Sequence, residues 1–256
     1  MDEGMFRTAE GYDRLIGRFL PSLAPAFAEF AGVRAGRVLD VGCGPGGLTA
    51  ELVERVGDGK VSAIDPSAPF VAVCRDRVPG ADVVEGVAES LPYADGHFDA
   101  SLSSLTVGFM TDARQGVREM ARVTRPGGVV ALCFWSSGRM QAVGRFWRAA
   151  GRAIGALPSD DALVGRQEGD LEGLLEEAGL QDIRAAEIEA TASYAGFDDL
   201  WSGYIAGVGP IGRYVRSLTP AQLEAVRVAA REDLGTAGQP FTLTAMAWAA
   251  CGVVPG

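Results

Sequence analysis

Val38-Leu39-Asp40-Val41-Gly42-Cys43-Gly44-Pro45-Gly46-Gly47 decides the fold. A short apolar run, Arg37 to Val41, reads as a strand. It meets a glycine-rich loop, and a helix pattern follows from Leu48 to about Val56. Glycines let the chain turn sharply from strand to helix and let backbone approach a ligand closely. The first turn of the helix aims unpaired N–H groups at the same space.

Working outward, the pattern repeats. Gly57-Asp58-Gly59 breaks the helix, and Lys60 to Asp65 is a second strand. Pro66 to Val78 reads as a second helix. Ala81 to Glu85, Phe98 to Ser103 and Gly128 to Trp135 are strands three to five. Strands alternating with helices imply a parallel sheet covered on both faces. Ser136 to Pro158 carries aromatic and arginine residues at helical spacing, and Leu171 to Ala178 is another helix. Ile183 to Tyr194 looks like a strand. Phe197 to Leu234 is mostly helical, broken at Gly207-Val208-Gly209-Pro210, with Thr219-Pro220 as N-cap and first helical residue. Phe241 to Ala249 is the last strand candidate, although its alanines also suit a helix. No linker rich in proline or serine divides the chain, so one domain with helical insertions is the simpler reading.

Composition narrows the function classes. The chain has 256 residues, 48% of them hydrophobic and 22% charged, which is enough to bury a sizeable core. No apolar run approaches the roughly 18 residues of a spanning helix, and no apolar leader opens the sequence. Cys43, Cys74, Cys133 and Cys251 lie far apart without a CxxC, so they read as reduced thiols of a cytoplasmic protein, with no metal site. A net charge of −10 argues against nucleic acid, because phosphate contacts need clustered Lys or Arg. It is compatible with a cationic ligand, though solubility alone explains it. Lys60 is the single lysine and His97 the single histidine, so triads and His-rich zinc sites are all but excluded.

The glycine loop also satisfies GxGxxG through Gly42, Gly44 and Gly47, so a dinucleotide site must be weighed. Asp40 discriminates. An anionic side chain at the start of the loop is unhelpful beside a pyrophosphate, but it suits the ammonium of an amino-acid ligand. Asp65, closing the second strand, is placed to accept hydrogen bonds from both hydroxyls of a ribose. S-adenosylmethionine (SAM) carries an ammonium, a ribose and a sulfonium, and no phosphate. Either carboxylate alone reads equally well as a helix or turn cap.

These residues resemble the class I SAM-dependent methyltransferases, in their small-molecule branch. Val38 to Gly46 matches that family's first motif, and Ile64-Asp65-Pro66-Ser67 its second strand end. Gly86-Val87-Ala88-Glu89-Ser90-Leu91-Pro92-Tyr93 is similar to the adenine-side loop. His97-Phe98-Asp99-Ala100 resembles the start of strand four, and Arg122-Val123-Thr124-Arg125-Pro126-Gly127-Gly128 the turn before strand five. The resemblance covers about residues 10 to 135. It implies an α/β, Rossmann-like, seven-stranded and mostly parallel sheet, its last strand antiparallel, with helices on both faces and helical insertions in the C-terminal half. The expected division is residues 1–35 as N-terminal lid helices, 36–135 as SAM-binding core, 136–240 as helical insertions and strand six on the acceptor side, and 241–256 as the last strand.

The resemblance also implies roles. Asp40, Gly42, Cys43 and Gly44 hold the methionine part of SAM, with Ser103 and Ser104 bordering it. Asp65 binds the ribose. Pro66 and Ser67 flank the adenine, and Ala88 and Glu89 meet its edge. Relatives often carry Asp where this chain has Val87, which puts a side-chain acceptor for the adenine amino group in doubt. Tyr12-Asp13-Arg14-Leu15-Ile16-Gly17-Arg18-Phe19 resembles the leading helix that closes over the cofactor. Tyr12 is expected at the methionine end and Arg18 on its carboxylate; an amphipathic surface helix is the bland alternative.

Methyl transfer is an in-line displacement at carbon, and SAM leaves as S-adenosylhomocysteine (SAH). A base is needed only where the acceptor must lose a proton early. His97 falls at the amino edge of the sheet, opposite the expected site, so no catalytic base is assigned. Trp135, Phe146, Trp147, Trp201 and Tyr204 are candidates for an apolar acceptor pocket, with ordinary core packing as the alternative for each. The expected partner is a small, apolar or aromatic acceptor, with no nucleic acid and no membrane, and a homodimer contact is compatible with the insertions. The alternatives are a non-catalytic SAM- or SAH-binding module and, less favoured, an NAD(P)-dependent oxidoreductase. An RNA or protein methyltransferase is disfavoured by the acidic balance and by the lack of an Asn-Pro-Pro-Tyr type motif.

Overall fold

A computed structural model describes residues 9–155, 163–206, 209–235 and 238–256. Seven strands form one sheet: β1 (Val38–Val41), β2 (Val61–Asp65), β3 (Ala81–Glu85), β4 (Phe98–Ser104), β5 (Thr124–Met140), β6 (Gln181–Tyr194) and β7 (Phe241–Val253). Their spatial order is β3-β2-β1-β4-β5-β7-β6. The first five pair in parallel, and β7 runs antiparallel between β5 and β6. This is the Rossmann-like arrangement that the sequence implies.

Burial explains the strands. All four residues of β1 are buried, as a central parallel strand requires. Along β5, Val130 and Leu132 pack on one face while Ala131 and Cys133 pack on the other, the two-residue period of a sheet covered on both sides. The outer half of β6 buries Ile188, Ala190, Ala192 and Tyr194 and exposes the residues between them, so this strand has one wet face.

Helices α1 (Ala9–Leu15), α2 (Leu20–Phe30), α3 (Gly47–Val56) and α4 (Ala68–Arg77) belong to the N-terminal half, and α5 (Ala113–Val123) precedes β5. Leu23 and Phe27 of α2 and Leu48 and Leu52 of α3 pack on one face of the sheet. Val117 and Met120 of α5 cover the other. The C-terminal half adds α6 (Gln141–Ile154), α7 (Asp170–Glu177), α8 (Phe197–Ile205), α9 (Gly209–Ser217) and α10 (Pro220–Leu234). α10 starts on a full capping box, Thr219 with Gln222, as Thr219-Pro220 suggests. Gly203 is glycine because α8 crosses the backbone of α1 there; a Cβ would lie 2.7 Å from Arg14 O.

Two expectations need correction. Ser136 to Met140 is strand rather than helix, because Met140 still pairs with Ala245 of β7, and an available ladder partner outweighs helical side-chain spacing. Residues 156–158 of that stretch lie outside the described residues. The alanines of β7 do not make a helix, since β5 and β6 pair with it on both sides. Residues 207 and 208 of the expected break also lie outside the described residues.

Candidate functional site

The carboxyl ends of β1, β2 and β4 converge on the glycine loop. Gly42, at φ +76°, is held by Thr106, whose hydroxyl lies 3.0 Å from Gly42 O; a Cβ on Gly42 would fall 2.2 Å from Thr106 Cγ2. Nothing lies within 4 Å of where a Cβ on Gly44 would sit, so that side of the loop is open. α3 begins directly beyond, after Gly46 in the left-handed region.

Two carboxylates flank this opening. Asp65 ties the loop together: Oδ2 accepts from Gly44 N at 2.9 Å and Oδ1 from Ser67 N at 2.8 Å. Burial pushes its carboxyl up, and the two backbone hydrogen bonds pull against that. Asp40 is only 1% exposed. Its Oδ2 accepts from Thr49 Oγ1 at 2.7 Å, and its Oδ1 is buried without a partner. Burial pushes the Asp40 carboxyl up to about 7; the Thr49 hydrogen bond opposes this, and the charge of Asp65 adds to it. A half-satisfied buried carboxylate invites a cationic donor, since an unpaired buried polar group carries its full desolvation cost. Ser103, at the end of β4, likewise has a buried hydroxyl without a partner. These orphaned acceptors and the open backbone at Gly44 fit an ammonium-bearing nucleoside.

Tyr12 joins this group from α1. Its ring packs edge-on against Phe70 at 5.8 Å. Burial, then the charges of Asp13, Asp65 and Asp40, push its phenol well up. Cys43 and Ala88 are buried beside the loop ends, and Pro66 and Ser67 follow Asp65 directly. Two expected residues are committed elsewhere. Arg18, expected on the carboxylate of the methionine moiety, forms a forked pair with Asp199, reaches Ser193 O and lies over the Tyr194 ring. Glu89 spends Oε1 on the backbone N–H groups of Thr111 and Asp112, ordering the turn into α5. His97 is exposed and stacks on Tyr93 at the start of β4, the far edge of the sheet.

Beside the carboxylates lies an apolar cavity of about 270 Å³. Tyr12, Leu105, Phe109, Phe134, Trp135 and Trp147 form much of its wall. Leu105 holds a left-handed φ of +61°, a cost for a non-glycine residue that clusters at functional sites. Of the five aromatic candidates, Trp135 and Trp147 line the cavity. The other three are core. Phe146 is 0% exposed, Trp201 stacks on Phe197, and Tyr204 donates its hydroxyl to Ala142 O at 2.7 Å. Helical spacing cannot separate the two groups, because a helix packed on a sheet buries one flank and offers the adjacent one to a cleft. Sequence reasoning missed Thr49, Thr106 and Leu105. Thr49 carried a readable signal, a hydroxyl in the first turn of the helix that follows an orphan carboxylate.

Comparison with known proteins matches this geometry. A model of the methyltransferase-domain family matches residues 39–132. A demethylmenaquinone methyltransferase from Roseiflexus castenholzii is 32% identical over 219 residues, covering 76% of this chain and 92% of its own. This chain belongs to the class I SAM-dependent methyltransferases. A malonyl-(acyl-carrier protein) O-methyltransferase from Enterobacter lignolyticus is similar to the methyltransferase at 29% identity over 77% of this chain and 75% of its own length. Other relatives of that name match over only 44% to 56% of their length. The geranyl diphosphate methyltransferase solved with SAM shares the methyltransferase fold, with a TM-score of 0.51 at 15% identity over 90% of this chain and 84% of its own. Family membership sets aside the oxidoreductase alternative.

Proposed function

We propose that this methyltransferase transfers a methyl group from SAM to a small acceptor with an apolar or aromatic body, seated in the cavity beside β5. The observation that carries this reading is Tyr12, which faces two environments. It lines the apolar cavity, and its phenol feels the charges of Asp40 and Asp65. A reacting carbon shared between the two compartments would sit near that ring.

In this reading Asp40 Oδ1 accepts from the ammonium of SAM, and Gly42, Cys43 and Gly44 border the methionine portion with Ser103 and Ser104. Asp65 accepts from the ribose hydroxyls while it keeps its two backbone partners. Pro66 and Ser67 flank the adenine, and the backbone at Ala88 meets its edge. Glu89 supports the loop rather than the base, and Arg18 braces the N-terminal segment against Asp199. SAM supplies a methyl carbon activated by the sulfonium. The chain's own part is to orient the acceptor and exclude water, with Trp135 and Trp147 as apolar walls that tolerate the positive charge.

Calorimetric titration of SAM, SAH and NADH tests the cofactor half, and transfer of labelled methyl to a panel of ring-bearing acceptors tests the other. Micromolar binding of SAM and SAH, weakened in Asp65→Ala and absent for NADH, is expected. Binding that is indifferent to Asp65 would overturn the assignment of the site.

A further inference from the structure

Thr49 sits in the first turn of α3, where a threonine hydroxyl commonly bonds to nearby backbone or points to water. Here the residue is fully buried, and its hydroxyl reaches across to β1 to donate to Asp40 Oδ2 at 2.7 Å. The same oxygen accepts from the Cys74 thiol of α4 at 3.7 Å. Gly46 lets α4 come this close, since a Cβ there would lie 2.9 Å from Cys74 Sγ. The Thr49 proton is therefore committed to Asp40. Valine would fill the same volume without the cost of burying a hydroxyl, so packing alone gives no reason for threonine. The titratable groups around Asp40 are Asp65 at the end of β2, Tyr12 of α1, Cys43 of the glycine loop and Cys74 of α4, and none of these is a cation. Burial and, less strongly, the charge of Asp65 favour the neutral carboxyl of Asp40. The Thr49 hydroxyl opposes them, with a smaller share from the Thr49 backbone N–H.

We propose that Thr49 is a positioning residue for SAM: its hydroxyl pins Asp40 Oδ2 and keeps Oδ1 as an ionised acceptor for the ammonium of the methionine moiety. This rests on the reading above, in which SAM brings that ammonium to Asp40. Thr49 acts through Asp40 and needs no contact with the cofactor. A carboxylate held at one oxygen is already oriented when the ligand arrives, and a hydrogen bond to its charged form favours that form. The role has a signature in pH. Without the hydroxyl, Asp40 ionises at higher pH, so binding suffers most where the carboxyl is already short of charge and recovers where it ionises unaided. Asp40→Asn should behave in the opposite sense, because its deficit opens as pH rises. A hydroxyl that served packing alone would give a loss independent of pH and shared by any nucleoside.

The test uses the full chain and two ligands, titrated by calorimetry from pH 6 to pH 8. SAH keeps the ammonium and the ribose; 5′-methylthioadenosine keeps the nucleoside and lacks both the ammonium and the carboxylate. Thr49→Val removes the hydroxyl and leaves the backbone N–H in place. If Asp40 ionises about one pH unit higher, the scale of one hydrogen bond to a charged group, SAH should bind this variant about ninefold more weakly than wild type at pH 6 and about twofold more weakly at pH 8. The ligand's own ionisation cancels in that ratio. Thr49→Ser should restore SAH binding to within about twofold of wild type throughout. 5′-Methylthioadenosine should bind Thr49→Val as it binds wild type at every pH. A ratio that stays constant with pH, an equal loss for 5′-methylthioadenosine, or a serine variant as weak as the valine one overturns the proposal. Should Thr49→Val fail to fold, as read by circular dichroism, Thr49→Ala carries the same test with the same expected ratios. Asp40→Asn separates the two levels. If it binds SAH as well as wild type at pH 8, the reading of Asp40 fails and the proposal with it. If it is weakened there while the Thr49→Val ratio ignores pH, the role of Thr49 alone is overturned.

Discussion

The two halves of the molecule build their sites by different means. Between Val38 and Ser104 the chain uses short strands, glycine turns and two carboxylates, all delivered to one edge of a parallel sheet. The cavity beside it is made by packing, from the end of β5 and from α6, a left-handed leucine and a tyrosine returned from α1. The first half is a matter of backbone geometry and the second of side-chain volume. A domain-family model accordingly covers residues 39–132 and stops there. Backbone sites tolerate little change, because each glycine and carboxylate holds others in place. A packed cavity can be reshaped one side chain at a time, which is how one fold serves many acceptors.

Four substitutions would break or sharpen this contrast. The largest effect is expected from Phe146→Ala. This side chain is fully buried among Trp147, Tyr204 and Tyr214, so its loss should cost about 3–5 kcal/mol in denaturant unfolding. SAM affinity, measured below the new transition, should stay within about twofold, since additivity holds for distant sites. Unchanged stability with altered acceptor binding would instead make Phe146 part of the cavity wall.

Asp65→Ala comes next. It removes the carboxylate proposed to accept from the ribose hydroxyls, together with the brace of Gly44 and Ser67, so the Kd for SAM should rise on the order of 100-fold. A rise in Kd below about threefold would place the ribose elsewhere.

Asp40→Asn should show its effect only on the alkaline side. In the unliganded protein this carboxyl is raised from 3.8 to about 7, so its folded form holds a proton that the unfolded chain has lost. Its contribution to stability is therefore best at low pH and falls as pH rises from about 4 through 7. If Asp40 accepts from the SAM ammonium as proposed, binding needs the ionised form, so below pH 7 it should release a proton, seen as a dependence of calorimetric heat on buffer ionisation. At pH 8 the variant should bind SAM about tenfold more weakly than wild type, and near pH 6 the two should converge. A gap of constant size across that range would show that the carboxyl is ionised throughout.

The smallest effect lies outside both sites. Thr219→Ala removes one half of the capping box on α10 and should cost about 1 kcal/mol, lowering Tm by a few degrees. SAM affinity should not change; if it did, the helical half would be coupled to the loop more tightly than its packing suggests.

The same contrast explains what could be read from the sequence. The strands, the glycine turn and the carboxylates at Asp40 and Asp65 were legible because each is a local rule: apolar runs, positive φ, an acid closing a strand. β7 was placed but ambiguous, since alanines state no period and only pairing with β5 and β6 makes them a strand. The extension of β5 through Ser136 was not legible for the same reason. The cavity was half legible. Trp135 and Trp147 were chosen as aromatics near the right edge, but the same criterion chose Phe146, Trp201 and Tyr204, which face the core. The pairing of Arg18 with Asp199 was not legible, because its partner is 181 positions away. Thr49 and Thr106 act through single hydroxyls that no pattern advertises.

The placement of β7 between β5 and β6 sets the order of events on the ribosome. β6 has no place in the sheet until the strand that separates it from β5 has been made, because β6 pairs only with β7. At about 5–20 residues per second, the chain from Tyr194 to Val253 takes several seconds to appear. Throughout that interval the exposed edge of β5 and the alternating apolar face of β6 are unsatisfied together in one nascent molecule. Chaperone demand, and losses to aggregation when synthesis stalls, should peak while residues 195–253 are being made.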